Sequence, residues 1–407
     1  MKICLINPPS PELIEPLVFP PLGLLYVASA LVKYRPQLYS IDAGDKVPAD
    51  CDVYGFTCTT SQSAWVKKEI SKIKEKNPEC FTVVGGPHPT LTGESCGADC
   101  CFVGEAELAI ENVIRQRDKG RINAKKPQDL DSLPFPKREP QFLSKYSCFL
   151  GGKKATSMIT TRGCPFKCSY CCSMNKPVRF RSPTSIYQEA REIKELGYEC
   201  VIFYDDIFTL RKKRLKEICE VLKSLGLQWK CLSRGDIIDR EMVNWMAEAG
   251  CIEISFGVES GSQQILQNVN RNVPTEKSIQ AIKTCNDMGI RTRAFFIVGL
   301  PGESWDSIEE TRQFILKAQP TTVNFSLFMP YPGSDIFQNP EKYDIYFDKE
   351  GILRNPEKLW YQRKFENYRC IVSTSKMSSK EILRARQLLS EEFEEEKKYW
   401  ERKQCEF

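Results

Sequence analysis

Two successive series of short β-rich runs alternating with helical patterns constrain this chain more than any other feature. In the first, Lys2–Asn7, Leu38–Asp42, Val53–Thr57, Phe81–Val84 and Cys100–Val103 read as strands. A helix opens at Pro20-Pro21 and runs to about Tyr34, and residues 62–77 have helical periodicity with Trp65, Ile70 and Ile73 on one side. Alternation of this kind predicts a doubly wound parallel sheet over 1–120. Ala43–Asp52, about ten residues, separates the second and third strands. A helical crossover takes a dozen or more, so one helix is expected to be missing and the domain to be small. Residues 121–152 are polar and proline-interrupted and read as a linker.

The second series occupies 153–334. Its strand candidates are Ala155–Thr160, Val201–Tyr204, Lys230–Ser233, Ile252–Gly257, Thr292–Val298 and Val323–Met329, with helical segments between them at 183–196, 211–225, 240–249, 262–268, 274–288 and 304–318. Six β/α units in order predict a partial (β/α)6 barrel, with its chemistry at the C-terminal ends of the strands. The 335–407 extension holds a charged stretch with Trp360 and Tyr361, then a terminal helix. Ser378-Ser379-Lys380-Glu381 is a capping box, and Glu391–Lys398 is mostly solvated face.

At 407 residues the chain is too long for one core. No run of eighteen apolar residues exists, so no membrane span is implied. The opening Met1-Lys2-Ile3-Cys4-Leu5-Ile6-Asn7 reads as a strand and not as a signal peptide. Nineteen cysteines without an export signal point to a reducing, cytoplasmic interior instead of a disulfide framework. A net charge of +5 spread over this length does not indicate nucleic acid. His88 is the only histidine, which excludes a zinc protease or a facial-triad iron site.

Cys164, Cys168 and Cys171 stand at C-x3-C-x2-C in a loop directly after the first barrel strand. Three thiolates so close can hold three irons of a cubane cluster and leave the fourth open. Zinc is the rival, but it wants a fourth ligand, and Cys172 would point away; three plain thiols are the other alternative. Cys96-x3-Cys100-Cys101, Cys370 and Cys405 invite a second cluster, against which stands the simpler reading of core or incidental thiols.

Other polar residues gather at predicted strand ends. Asp205 and Asp206 follow the second barrel strand, where they suit a cationic amine or serve as a helix N-cap. Arg234 follows the third, facing a carboxylate or simply Asp236. Glu259 and Ser260 follow the fourth and suit vicinal hydroxyls. Ile297 and Gly299 end the fifth, where glycine lets backbone approach a planar ring. In the first series the strand ends present Asn7, Asp42, Thr57, Gly85, Gly86, His88, Gly104 and Glu105.

Taken together, the cysteine loop and these strand ends resemble the radical S-adenosylmethionine (SAM) superfamily, in its cobalamin-binding-domain branch, over roughly 1–335. The resemblance implies a [4Fe-4S] cluster on Cys164, Cys168 and Cys171, with SAM chelating the open iron and cleaved to a 5′-deoxyadenosyl radical. It implies Tyr170 near the adenine, Asp205 or Asp206 at the methionine amine, Arg234 near the carboxylate, Glu259 and Ser260 near the ribose, and Ile297 through Gly299 along the adenine. Asn7-Pro8-Pro9, Pro20-Pro21-Leu22-Gly23, Gly85-Gly86-Pro87-His88-Pro89-Thr90 and Gly104-Glu105-Ala106-Glu107 resemble the branch's cobalamin module. The Asp-x-His-x-x-Gly signature of a lower axial histidine is absent, since Gly86 stands where its Asp would be. The implied reaction is methylation of an unactivated carbon on a small-molecule substrate, fed by a flavodoxin or ferredoxin. Alternatives are a cyclase-type or oxidative reaction, a sheet domain that is scaffold only, and a non-catalytic iron–sulfur sensor.

Overall fold

A computed structural model describes residues 1–10, 13, 15–172, 177–354 and 368–393. Trp360, Tyr361, Cys405 and the end of the Glu391–Lys398 stretch lie outside the described residues. The chain forms two compact units, Met1–Cys148 with Lys349–Tyr368, and Phe149–Asp348 with Arg369–Phe407.

The first unit contains β1 (Ile3–Asn7), α1 (Leu22–Ala30), β2 (Gln37–Ser40), β3 (Val53–Thr57), α2 (Ser63–Lys76), β4 (Phe81–Gly85), α3 (Pro87–Thr92), β5 (Cys100–Val103), α4 (Ile110–Gln116), β6 (Gly120–Asn123) and α5 (Pro140–Leu143). Its sheet is wholly parallel in the order β2-β1-β3-β4-β5-β6. The order reverses direction at β1, and the crevice beyond the carboxyl ends of β1 and β3 is where such sheets bind ligands. No helix lies between β2 and β3, as the short crossover requires. The strands read as near-continuous apolar runs because both faces are covered. On one of them, Val66, Ile70 and Ile73 of α2 pack on Ile6, Tyr54, Phe56 and Val84. Strand β6 extends the sheet into the stretch read as linker. It is a short, mostly exposed edge strand, so hydrophobic patterning does not mark it.

Cys4 and Cys51 are joined by a disulfide, a departure from the expectation of free thiols. They lie beside each other at the start of β1 and just before β3, with Cα atoms 6.3 Å apart, inside the range a disulfide spans. The other described cysteines are free thiols.

The second unit contains β7 (Phe149–Leu150), β8 (Lys153–Met158), β9 (Thr161–Arg162), β10 (Arg179–Phe180), α6 (Pro183–Glu195), β11 (Cys200–Phe203), α7 (Lys212–Leu225), β12 (Gln228–Ser233), α8 (Arg240–Glu248), β13 (Cys251–Glu259), α9 (Gln263–Asn268), α10 (Thr275–Asp287), β14 (Arg291–Val298), α11 (Trp305–Ala318), β15 (Thr322–Leu327) and α12 (Asp335–Gln338). After α13 (Lys349–Arg354), which clusters with the first unit, comes α14 (Ser379–Phe393). Strands β8, β11, β12, β13, β14 and β15 are parallel and neighbour one another in chain order, with β7 antiparallel on the β8 edge. That order is how a β/α barrel winds; six strands leave it open, as β15 and β8 do not pair.

Local chemistry sets the helix limits. Ser182, Asp239 and Ser304 cap α6, α8 and α11 through their side-chain oxygens, and Gly226 ends α7 in the left-handed conformation. Arg181-to-Glu189 pairing is buried beside the start of α6. On β14 the burial alternates: Thr292, Ala294, Phe296 and Val298 are buried, while Arg291, Arg293, Phe295 and Ile297 are half-buried. Among the described residues no helix is long and apolar enough to cross a membrane.

Candidate active site

The cysteine loop grows from a small ribbon. Beyond β8 the chain enters β9, which pairs antiparallel with β10, so Arg162 and Arg179 close the base from which the cysteine loop rises. Asp205, at the end of β11, locks that base. Its carboxylate accepts from the Thr160 amide (2.6 Å), the Thr160 hydroxyl and the Thr161 amide (3.1 Å). Arg214 donates to the Thr160 carbonyl (2.9 Å) and Arg181 to the Ile159 carbonyl (3.0 Å). Asp205 is 1% exposed, and burial pushes its carboxyl above the ordinary range against these hydrogen bonds.

The far side of the loop is tied elsewhere. The Ser169 amide donates to the Val269 carbonyl (2.9 Å), Asn270 Nδ2 to the Lys167 carbonyl (2.8 Å), and the Ile336 amide to the Ser169 carbonyl (3.1 Å). Tyr343 donates to Ser169 Oγ (3.1 Å). Within it, the Cys171 amide turns back to the Cys168 carbonyl (3.0 Å), and Gly163 has φ +104°, which glycine adopts without strain.

Cys164 and Cys168 are half-buried and Cys171 exposed. Burial and the nearby sulfurs push the Cys171 thiol up to about 12, and burial, Asp206 and Cys168 raise Cys164. Thiolates gathered this way need cationic iron to hold them ionised. A single tetrahedral zinc, with Zn–S about 2.3 Å, wants its sulfurs about 3.8 Å apart. Among the described residues only His88, Glu94 and Cys96 bring three ligand atoms within 4.8 Å of one another; the loop sulfurs are spread wider. Several irons sharing the ligands suit that spread, so the residues fit a cluster better than one ion.

Around this loop the predicted residues divide. Asp206 turns to the loop, accepts from the Gly163 amide and is raised by partial desolvation. Glu259 has φ +69°, at a bulge where the β13–β14 register shifts between Gly257 and Glu259. A β-carbon on Gly257 would lie 2.6 Å from Glu259 Oε1, so only glycine admits that carboxylate. Strain on a non-glycine residue at a bulge is a feature of ligand sites. Tyr170 accepts from Arg271 Nη1 (3.1 Å), and burial pushes its phenol far up. Ile297 stands half-buried at the end of β14, and Gly299 has φ +97°.

Asp205, Arg234 and Ser260 are engaged within the protein. Asp205 holds the loop base as described. Arg234 makes a two-pronged bond to Asp236 (3.0 and 2.9 Å), with its guanidinium 3.4 Å from the Phe166 ring centroid. Ser260 is buried, accepts from the Ser262 amide (3.1 Å) and lies 3.4 Å from Thr311 Oγ1.

Arg271 has no counterpart among the expected residues. It is 6% exposed, contacts Cys168 Sγ (3.8 Å), Tyr170 and the Gly257 carbonyl, and lies 3.7 Å from Glu259 Oε1. Its Nε is buried without a hydrogen-bond partner. Cys168 lies 103 residues away in sequence, and no local spacing announces the contact. Glu303 is likewise unforeseen. It is 1% exposed, accepts from the Gly299 amide (3.1 Å) and Ser307 Oγ (2.6 Å), and burial raises it to about 7.

In the first unit the predicted residues line the carboxyl edge of the sheet. Asn7 donates to Tyr146 (3.4 Å), which donates to Ser40 (2.9 Å); Asp42 accepts from the Ser10 amide (2.9 Å). A β-carbon on Gly86 would lie 3.0 Å from Cys58 N and O and 3.2 Å from Thr57 Oγ1, so this glycine lets the two loops meet tightly here. The Gly104 amide donates to Thr90 Oγ1 (3.1 Å), and Glu105 is half-buried. This edge, open at the β1/β3 reversal, fits a corrinoid. His88 does not present an axial nitrogen: Nδ1 lies 3.3 Å from Thr60 Oγ1 and Nε2 3.2 Å from Glu94.

Comparison with known proteins follows the same division. The Radical SAM superfamily matches residues 158–315 and the B12 binding domain residues 16–114. An uncharacterized methyltransferase of Pyrococcus horikoshii is 31% identical over 83% of each chain. The anaerobic magnesium-protoporphyrin IX monomethyl ester cyclase of Rubrivivax gelatinosus is 29% identical over 74% of this chain and 61% of its own. The radical S-adenosylmethionine methyltransferase TsrM of Kitasatospora setae, solved with cobalamin and a [4Fe-4S] cluster, shares the fold. Its TM-score is 0.67 at 15% identity, over 86% of this chain and 81% of that one.

Proposed function

The chain belongs to the radical SAM superfamily and carries a B12-binding domain, and from this we propose that it methylates an unactivated carbon of a small-molecule substrate. When bound, the [4Fe-4S] cluster supplies the low-potential electron that cleaves SAM, and cobalamin supplies a methyl carrier. The observation that carries this reading is the tethered three-cysteine loop beyond the first strand of the half-barrel; the other unit contributes a parallel sheet whose carboxyl edge reverses at β1/β3.

In this reading Cys164, Cys168 and Cys171 ligate three irons. Asp206 takes the methionine amine, because Asp205 is already committed to Thr160 and Thr161. Glu259 takes the ribose hydroxyls, and Ile297, Gly299 and Tyr170 enclose the adenine. Arg271 holds Tyr170 and backs Cys168; Arg234 and Ser260 position the loop and the β13 turn. Asn7, Asp42, Thr57, Gly85, Gly86, Gly104 and Glu105 form the corrinoid edge, and cobalt receives no histidine. Electrons come from a flavodoxin or ferredoxin, and the reaction belongs in the cytoplasm.

Anaerobic reconstitution should give about four irons per chain, lost on replacing the three cysteines by alanine. Incubation with SAM, methylcobalamin and reductant should give both 5′-deoxyadenosine and S-adenosylhomocysteine. The similarity to the cyclase supports a second reading, cyclisation without methyl transfer. In that case 5′-deoxyadenosine appears alone. Failure of the chain to take up corrinoid would sink the methylation reading.

A further inference from the structure

We propose that the first unit holds a zinc ion at His88, Glu94 and Cys96, with Cys58 as fourth ligand. The ligand atoms of His88, Glu94 and Cys96 lie within 4.8 Å of one another, close to the spacing a single tetrahedral ion requires. The Cys58 thiol neighbours that of Cys96 and donates to the Thr59 carbonyl (3.3 Å). One imidazole, one carboxylate and two thiols form a donor set suited to zinc.

The cluster is built from three strand ends. Cys58 follows β3, His88 follows β4, and Glu94 and Cys96 precede β5. The His88 amide donates to the Cys58 carbonyl (3.0 Å), and Gly86 permits the close approach. His88 is 3% and Cys96 1% exposed, whereas Glu94 lies at the surface.

The imidazole is already oriented. Nδ1 lies 3.3 Å from Thr60 Oγ1 and Nε2 3.2 Å from the Glu94 carboxylate; with its proton on Nδ1, donated to Thr60, the ring offers the Nε2 lone pair to an ion on the Glu94 side. In that tautomer Nε2 and the carboxylate are both acceptors, and a cation between them would satisfy both. An orienting partner on the far nitrogen is the usual support for a metal-bound histidine. Zinc here would tie the segments that follow β3 and β4 to the turn that leads into β5.

The test counts zinc and iron per chain by mass spectrometry in full-length protein purified anaerobically from Zn2+-supplemented cells. About one zinc is expected, and X-ray absorption at the zinc edge should show sulfur and imidazole nitrogen. Cys96→Ser and His88→Ala should lose the zinc and keep the iron, which reports an intact second unit. Glu94→Gln, at an exposed position, removes a ligand without touching the core and should weaken Zn2+ binding at least tenfold. Thr60→Ala should weaken it by about 10- to 100-fold. Zinc-free wild-type protein, zinc unchanged in Cys96→Ser and His88→Ala, or an edge spectrum without sulfur would overturn the proposal. A proton shared between His88 and Glu94 would then be all that holds them together.

Discussion

Glu303 makes the protein's stability depend on pH in a way that one substitution should remove. The carboxyl is fully enclosed, and burial raises it from 4.5 to about 7. Because the folded state binds the proton more tightly, the favourable contribution is complete below about pH 4.5 and is lost as pH rises through about 7. A shift of this size corresponds to about 3 kcal/mol at 1.36 kcal/mol per unit. For a unit of this size that is a fall of about 6–12 °C in midpoint. Glu303→Gln keeps the shape, and its amide oxygen still accepts from Gly299, but it does not titrate. Scanning calorimetry of anaerobic holoprotein at pH 5 and pH 8 should show the wild type losing about 2.5 kcal/mol more than the variant, since pH 5 already lies above the unfolded value. Any constant offset from the amide cancels in that difference. Equal losses would mean that the carboxyl does not change its protonation on unfolding, and the reasoning from burial fails.

Arg271→Met removes a cation and an N–H donor from Cys168, so reduction should become harder. The cluster midpoint should fall by roughly 50 mV, on the order of 1 kcal/mol for one electron, in a titration followed by electron paramagnetic resonance. Asp205→Asn and Asp206→Asn should separate cleanly. The first should cost about 2–3 kcal/mol of stability and loosen cluster retention; the second should leave stability unchanged and raise KM for SAM. Gly299→Ala puts a methyl 2.8 Å from Ile382 Cγ2 at φ +97°. It should cost about 1–3 kcal/mol, only partly recovered by Ile382→Val, because the backbone strain remains.

Most of the architecture was legible because it is written locally. Apolar runs such as Cys200–Phe203 and stripes such as Leu215, Ile218 and Leu222 lie within a few residues of one another. Strand β6 escaped because an exposed edge strand needs no apolar pattern. The site was half legible. C-x3-C-x2-C is a local spacing, and Glu259 follows an apolar strand. Which aspartate of the pair is free was not, since Asp205 is decided by amides 44 and 45 residues away. Arg234 had two readings, and its Asp236 neighbour won through ideal fork geometry. The cysteines near β5 suggested a second cluster, but Cys100 points away from Cys101 across the pleat; the partners of Cys96 are His88 and Cys58, from other strands.

The tethers on the cysteine loop also set an order of assembly. Its far side is fastened by Val269, Asn270, Ile336 and Tyr343, none of which exists when Cys171 is synthesised. Ile336 follows Ser169 by 167 residues, an interval of about 8–35 s at 5–20 residues per second. For the first part of that interval, until Val269 and Asn270 are made, the three thiols sit on a loop whose far side has no tie, and the ties to Ile336 and Tyr343 come last. Iron delivered before these residues are in place would meet an unfinished cage, so cluster insertion belongs after Ile336 and Tyr343 have been made, and the segment beyond the last strand serves as the latch.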